Sequence, residues 1–475
     1  MADLTELGAC DAVAALESGA VTARQLVDAA LERIDRVNGT VNAIVTLAAD
    51  RACAEADAVD VARARGEPVG VLGGLPVAIK DNQRTEGIRT TLGSPLHEHD
   101  VPDADAGIVA RIRAEGGIVL GKTNIPEFSI GANTVNRLFG ATGNPFAPER
   151  TCGGSSGGSA VAVAAGMTPL ATGSDHGGSL RIPASYCGVV GYRASPGIVP
   201  NEERTTTQTH YSLQGPIART VEDAALLLSV IADRSGTARL DPMAFPFDAA
   251  SFRNLDMVDL SGVRVATSAD LGGVLVSDEV RGLFAQRVEQ VSGLFATCTP
   301  SDIDLTDAPA VDWQLRQDVF VSQYSERVGA WDDGVNPNVL ATYNSALETP
   351  MAAIADARRR QVELYRSFAQ IFDAHDILLL PGVSVLPFPW RHANPQEIDG
   401  EPVENYMAWL ALTAALTVVG HPVVALPCGL DEQGTPFGIQ VVGPMYGDHR
   451  LLSVARALEA AFAADPRTAR PVPAL

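Results

Sequence analysis

Cysteine is scarce in this 475-residue chain, and the six present (Cys10, Cys53, Cys152, Cys187, Cys298 and Cys428) never fall into a C-x-x-C pair. That argues against a zinc site or a disulfide framework and suits a reducing compartment. Positive charge is also in short supply: 35 Lys and Arg stand against 57 Asp and Glu, a formal net charge of −22. Such a chain repels polyphosphate and anionic lipid, so nucleic-acid and membrane-surface partners are excluded. No hydrophobic run is long. The longest extends from Met407 to Gly420 and stops at His421-Pro422, too short to span a bilayer. The opening MADLTELGACDAV carries acidic residues where a secretion signal needs basic ones, so a cytoplasmic protein is expected.

What is present is the composition of a soluble globular protein, 46% hydrophobic and 19% charged. A chain this long buries enough surface to need no metal or disulfide staple. No linker or repeat divides it, so one domain over 1–475 is expected. The first sixty residues read as helices, with Thr22 as an N-cap before the apolar stripe Leu26, Ala29, Ala30, Ile34 and Val37. From about residue 70, short apolar runs (Leu75 to Ile79, Ile118 to Leu120, Pro169 to Thr172) alternate with helical segments (Gly107 to Arg113, Ser159 to Ala165, Val221 to Ile231). Strand-like runs return at Ile377 to Leu380, Val423 to Leu426 and Gly438 to Val442, and Arg450 to Ala463 closes as a helix. The pattern predicts an α/β fold with a mixed central sheet flanked by helices. Residues 240–400 read differently: acidic, irregular and richer in aromatics, with all four tryptophans (Trp313, Trp331, Trp390, Trp409) after residue 310. This stretch is expected to form a peripheral helical layer with its own small core, or an aromatic wall over a substrate pocket.

Several motifs are decoys. Residues 116–123, GGIVLGKT, match a phosphate-loop pattern, but Ile118, Val119 and Leu120 put a strand inside the supposed loop and Pro126 interrupts any helix after it. His97 and His99 sit beside Asp100 without a third ligand, so a solvated loop is expected and no metal. Asp448 and His449 look like capping residues of the last helix.

The strongest local anomaly is GGSSGGS at 153–159. So many glycines let the backbone approach other groups closely or adopt unusual dihedrals. The run also matches G-x-S-x-G around Ser155, which in an α/β-hydrolase requires an acid and a histidine downstream; Asp376, His421 and His449 are candidates. A second cluster, GSDHGGS at 173–179, leaves backbone N–H groups sterically free around Ser179, as an oxyanion hole requires. Lys80 interrupts the apolar strand LPVAIKDN, where it either pairs with Asp81 at a strand end or serves chemistry with the two serines, which lie 24 positions apart.

These residues carry a resemblance. PVAIKDN at 76–82, GKTNIPEF at 121–128, FGATGNP at 139–145, TCGGSSGGSAVAVAAGM at 151–167, the block from Gly173 to Gly191 and GPIARTVEDAALLL at 215–228 are together similar to the amidase signature family of serine hydrolases. The likeness is strong over about 20–235, with 70–235 as its core, and weak over the last hundred residues; 240–400 is then a variable pocket region within the same domain. The resemblance implies a Ser–cisSer–Lys triad without metal or organic cofactor. Lys80 matches the lysine, Ser155 the serine after a cis peptide with Gly154, and Ser179 the nucleophile. The backbone N–H groups of His176, Gly177, Gly178 and Ser179 match the oxyanion turn, and Asp175 and Arg181 are expected to buttress it as an ion pair. Ile182 stands where glutamine-using tRNA-dependent amidotransferase subunits carry glutamine, and His176 where relatives often carry threonine or isoleucine.

The expected activity is metal-independent cleavage of C–N bonds in small aryl or apolar amides through an acyl-enzyme, with carbamates (urethanes) and esters as further substrates. A monomer or homodimer is expected. The rivals are an esterase using Ser155 with a histidine, a nucleotide-binding module at 116–123, and a catalytically silent amidotransferase-type subunit.

Overall fold

The computed structural model describes residues 3–325, 335–403 and 406–475. Trp331 lies outside them.

Three helices open the chain: α1 (Ala9–Glu17), α2 (Ala23–Val41) and α3 (Ala49–Ala64). Thr22 caps α2 in a reciprocal pair with Gln25, which satisfies backbone donors at both residues. The strand β1 (Ile44–Leu47) separates α2 from α3 and escaped the helical reading of this region. There follow β2 (Pro76–Lys80), α4 (Gly107–Ala114), β3 (Ile118–Thr123), the short ribbon β4 (Val135–Asn136) and β5 (Gly140–Ala141), α5 (Gly157–Ala164), β6 (Leu170–Asp175), α6 (Arg181–Cys187), β7 (Val190–Arg193), β8 (Leu213–Ala218) and α7 (Val221–Ile231). The rest contains β9 (Arg264–Thr267), α8 (Asp278–Val291), β10 (Thr297–Pro300), α9 (Ala308–Tyr324), α10 (Pro337–Glu348), α11 (Met351–Ala369), α12 (Ile371–Ala374), β11 (Ile377–Pro381), the ribbon β12 (Glu397–Ile398) and β13 (Glu401–Pro402), α13 (Ala411–Val419), β14 (Val423–Leu430), β15 (Pro436–Val442) and α14 (Asp448–Ala463).

Eleven strands form one sheet in the order β1-β3-β2-β6-β8-β7-β14-β15-β11-β9-β10. Pairing is parallel for β2 with β3 and β6 and antiparallel for β6 with β8. The fold is thus the mixed α/β arrangement expected. The stretch after 240 is less purely helical than expected, because β9 and β10 join the expected strand β11 in extending the main sheet. Its small core exists nonetheless: Phe320, Tyr324, Val339 and Tyr343 pack on Phe128.

GGIVLGKT contains a strand, as its apolar run suggested: Ile118–Thr123 is β3, buried throughout. Asp448 opens α14 but does not cap it. Its carboxylate instead accepts hydrogen bonds from Tyr192 Oη and from both Ser195 Oγ and N. Parallel β2 and β6 end side by side, bringing Lys80 and the segment Ser174–Asp175 to the same rim of the sheet. Carboxyl ends of adjacent parallel strands are where α/β sheets place their ligand sites.

Candidate active site

The Gly-Ser run packs because it has so few side chains. A Cβ on Gly157 would come within 2.2 Å of Thr134 Oγ1, and one on Gly158 within 2.3 Å of the Asn124 nitrogen. Ser159 anchors the first turn of α5 through Thr123 Oγ1 (2.7 Å) and the Thr172 carbonyl (2.8 Å). The peptide bond between Gly154 and Ser155 is cis. Ser155 sits just before α5, against Lys80 at the end of β2.

Lys80 is fully buried, and Asp81 does not pair with it; Asp81 instead accepts from Thr91 Oγ1 and N. Lys80 Nζ lies 2.8 Å from Ser155 Oγ, 2.8 Å from Ser156 Oγ and 2.9 Å from Ser174 Oγ. Burial pushes its amine down to about 7, with the Asp175 charge opposing. A neutral amine has two protons to give and one lone pair. Ser156 commits its own proton to the Ser174 carbonyl (3.2 Å), and Ser174 Oγ accepts from Asn82 Nδ2 (3.2 Å). Ser155 Oγ has no partner but Lys80 among the described residues, so its proton is free to point at the lone pair.

Ser155, Ser174 and Ser179 line one cavity of about 180 Å³. Beyond Ser179 the turn rests on Asp175. Its Oδ1 accepts from Gly178 N (2.8 Å), Arg181 Nη2 (3.0 Å) and Arg193 Nη1 (3.1 Å), and its Oδ2 from Leu180 N (3.1 Å) and Arg181 Nε (3.0 Å). Burial alone would raise this carboxyl, but Arg181 and Arg193 hold it well below the usual range. Arg181 also reaches the Thr413 carbonyl and Thr417 Oγ1 of α13, while Thr413 Oγ1 donates to the Gly177 carbonyl (2.7 Å).

The expectation for Gly178 needs correction. Its N–H already serves Asp175, so it is not among the donors available to an oxyanion. The N–H groups of His176, Gly177 and Ser179 have no partner among the described residues. The His176 ring stacks on Tyr211 with centroids 4.6 Å apart and meets Ser212 Oγ through Nδ1 (3.1 Å). Burial, with Arg316 and Arg193 nearby, holds the imidazole well below its usual range and therefore neutral.

Sequence reasoning missed Ser156, Ser174 and Arg193. The serines stood inside the two Gly-Ser runs, but only the tertiary fold turns them toward Lys80. Arg193 carried no signal. None of the candidate partners of a Ser155 esterase contacts it: Asp376 pairs with Arg264, His421 packs among Phe368, Phe372 and Tyr365, and His449 faces Asn254. No cluster able to hold a metal exists among the described residues. No described helix is long and apolar enough to cross a membrane.

Against this geometry, the family model for Amidase matches residues 25–452. The chain belongs to the amidase signature family, enzymes acting on C–N bonds. It is similar to a glutamyl-tRNA(Gln) amidotransferase subunit of Moorella thermoacetica, 33% identical over 463 residues and covering 92% of this chain and 93% of that one. It is also similar to the corresponding amidotransferase subunit of Streptomyces coelicolor, 34% identical with 97% of both chains covered. Among solved structures, a bacterial aryl acylamidase of the amidase signature family superposes with a TM-score of 0.87 at 26% identity, covering 97% of this chain and 96% of that one.

Proposed function

We propose that the chain hydrolyses small amides through a Lys80–Ser155–Ser179 relay, without metal or organic cofactor. The observation that carries this reading is the buried Lys80 amine, 2.8 Å from the Oγ of Ser155, which lines the same cavity as Ser179. A serine hydroxyl is a weak nucleophile until a base takes its proton. Neutral Lys80 accepts the Ser155 proton while Ser155 accepts that of Ser179. The Ser179 oxygen attacks the amide carbon, and the N–H groups of His176, Gly177 and Ser179 receive the oxyanion. Ser155 then gives its proton to the departing amine and takes one back from Lys80, the C–N bond breaks and the acyl group remains on Ser179. Water attacks by the same relay and releases the acid.

We assign the substrate to small aryl or apolar amides, with carbamates and esters open to the same acyl chemistry. Phe128, Ile130, Phe320, Tyr324, Tyr406 and Leu410 on the cavity wall support this. The aromatic wall is made of phenylalanine and tyrosine; the described tryptophans are not on it. We read the chain as one catalytic domain, with 240–400 shaping the pocket.

The names of the curated relatives favour a second reading, that of an amidotransferase component dependent on partners. Ile182 on the cavity wall supports the free-standing amidase instead. The purified chain is expected to turn over a simple anilide alone, with carbamates and esters assayed beside it. Full activity that emerges only with added partner proteins would establish the second reading. Ser179→Ala should abolish turnover, and retained activity would return the Ser155 esterase.

A further inference from the structure

The helix α9 carries Asp312, Arg316, Phe320 and Tyr324 at a spacing of four, which places all four side chains on one face. Arg316, Phe320 and Tyr324 line the cavity that holds Ser155 and Ser179. Arg316 lies against the turn over 176–179: a Cβ on Gly177 would come within 3.1 Å of Arg316 Nη2. With a rise of about 1.5 Å per residue, Phe320 follows about 6 Å and Tyr324 about 12 Å farther along the helix. One helix face thus presents a guanidinium beside the proposed reacting centre and aromatic rings beyond it.

Arg316 is only 4% exposed, yet its donors are incompletely used. A guanidinium has five N–H groups. Nε (3.0 Å) and Nη2 (2.9 Å) both donate to a single oxygen, Asp312 Oδ2, and Nη1 donates to Met407 Sδ (3.3 Å), a weak acceptor. One N–H on Nη1 and one on Nη2 have no partner among the described residues. Arg181 is the contrast within the same chain. It is buried behind the turn and all its N–H groups reach oxygen: both oxygens of Asp175, the Thr413 carbonyl, Gln440 Oε1 and Thr417 Oγ1. A buried donor left unpaired costs free energy, and Arg316 carries two of them on a side chain that lines the cavity.

The charge of Arg316 is already balanced. Asp312 pairs with it (2.9 Å), and Glu203, which also lines the cavity, pairs with Arg84 (3.6 Å). What Arg316 lacks is an acceptor, not an anion. An uncharged oxygen supplies the acceptor without bringing an unpaired negative charge into a buried site. We propose that Arg316 selects substrates whose acyl group carries a second, uncharged oxygen acceptor close to the scissile carbonyl, with the apolar or aryl portion lying along Phe320 and Tyr324. This narrows the amide-hydrolase reading and rests on it. A site with unfilled donors favours the substrate that fills them and rejects the analogue that leaves them bare.

Calorimetric titration of the full chain carrying Ser179→Ala, so that binding is read without turnover, tests this with three anilides. Acetoacetanilide differs from butyranilide by one ketone oxygen, and the monoanilide of malonic acid places a carboxylate there instead. Acetoacetanilide should bind about tenfold tighter than either of the others. Arg316→Lys keeps a cation for Asp312 but loses the planar fork. Asp312→Asn with Arg316→Gln removes both charges and serves as the second variant should Arg316→Lys not fold. In either, added to Ser179→Ala, the advantage of acetoacetanilide should fall to about twofold or less while butyranilide binds as before. Equal affinity for the two neutral anilides, tightest binding of the carboxylate, an advantage that survives in the Arg316 variants, or no binding of any anilide would overturn the proposal. Turnover of butyranilide by the parent chain, measured in parallel, judges the hydrolase reading separately.

Discussion

A lysine amine among three serine hydroxyls, with no carboxylate within ion-pairing distance among the described residues, costs stability, a cost that the proposed role as a base accounts for. The folded value near 7 lies below the ordinary 10.5, so the unfolded chain binds more protons between those values. Stability from this group therefore rises with pH across that window and its penalty is greatest below pH 7. Lys80→Met should abolish turnover yet raise stability at neutral pH by about 1–3 kcal/mol, measured by chemical denaturation. Equal or lower stability with intact activity would contradict the assignment. Lys122 is the instructive contrast. It is also buried and lowered to about 8, but it donates to the Gln83 carbonyl, Thr85 Oγ1 and Thr90 Oγ1, which fixes a loop and serves no nucleophile. Nucleotides should show no measurable affinity in a titration of the wild-type chain, and affinity lost in Lys122→Ala would revive the phosphate-loop reading.

At the scale of elements, the turn over 176–179, the proposed oxyanion site, is held by Asp175 on one side and by α13 on another. Asp175→Asn removes the only carboxylate that pairs with Arg181 and Arg193 among the described residues, so it should destabilise by about 3–5 kcal/mol in a denaturant titration. Gly178 has φ +130°, and a Cβ there would lie 2.4 Å from Thr413 Oγ1. Gly178→Ala should displace the turn and lower kcat by about 10²-fold while circular dichroism stays native. These features mark the limit of what the sequence made legible. Strands β2, β3, β6, β11, β14 and β15 were readable because they are buried apolar runs. Edge strands β1 and β10 were not: one hides among helices, and the other, Thr297–Pro300, is largely exposed and lacks a clean alternation. Lys80, Ser155 and Ser179 stood out because glycine-rich turns and a strand lysine are locally anomalous. The contacts of Ser156 and Ser174 with Lys80, and of Arg193 with Asp175, depend on strand pairing across the sheet. No local pattern announces them, and none could show that Gly178 had already spent its N–H on Asp175.

On the scale of the whole molecule, β2 and β6 from the first half and α13 from the last hundred residues meet at one rim of an eleven-stranded sheet. The C-terminal segment, where the resemblance was weakest, supplies Thr413 and Thr417 behind the turn and Met407 and Leu410 on the cavity wall. Dialysis against a chelator should leave activity unchanged, and recovery only on adding zinc or magnesium would count against a lysine base. The most direct measurement is the rate at which a fluorophosphonate labels Ser179 between pH 5 and 9, with the labelled residue mapped by mass spectrometry. The rate should climb about tenfold per pH unit below 7 and level off above it, as one amine loses its proton. A flat profile, or a label on another serine, would contradict it.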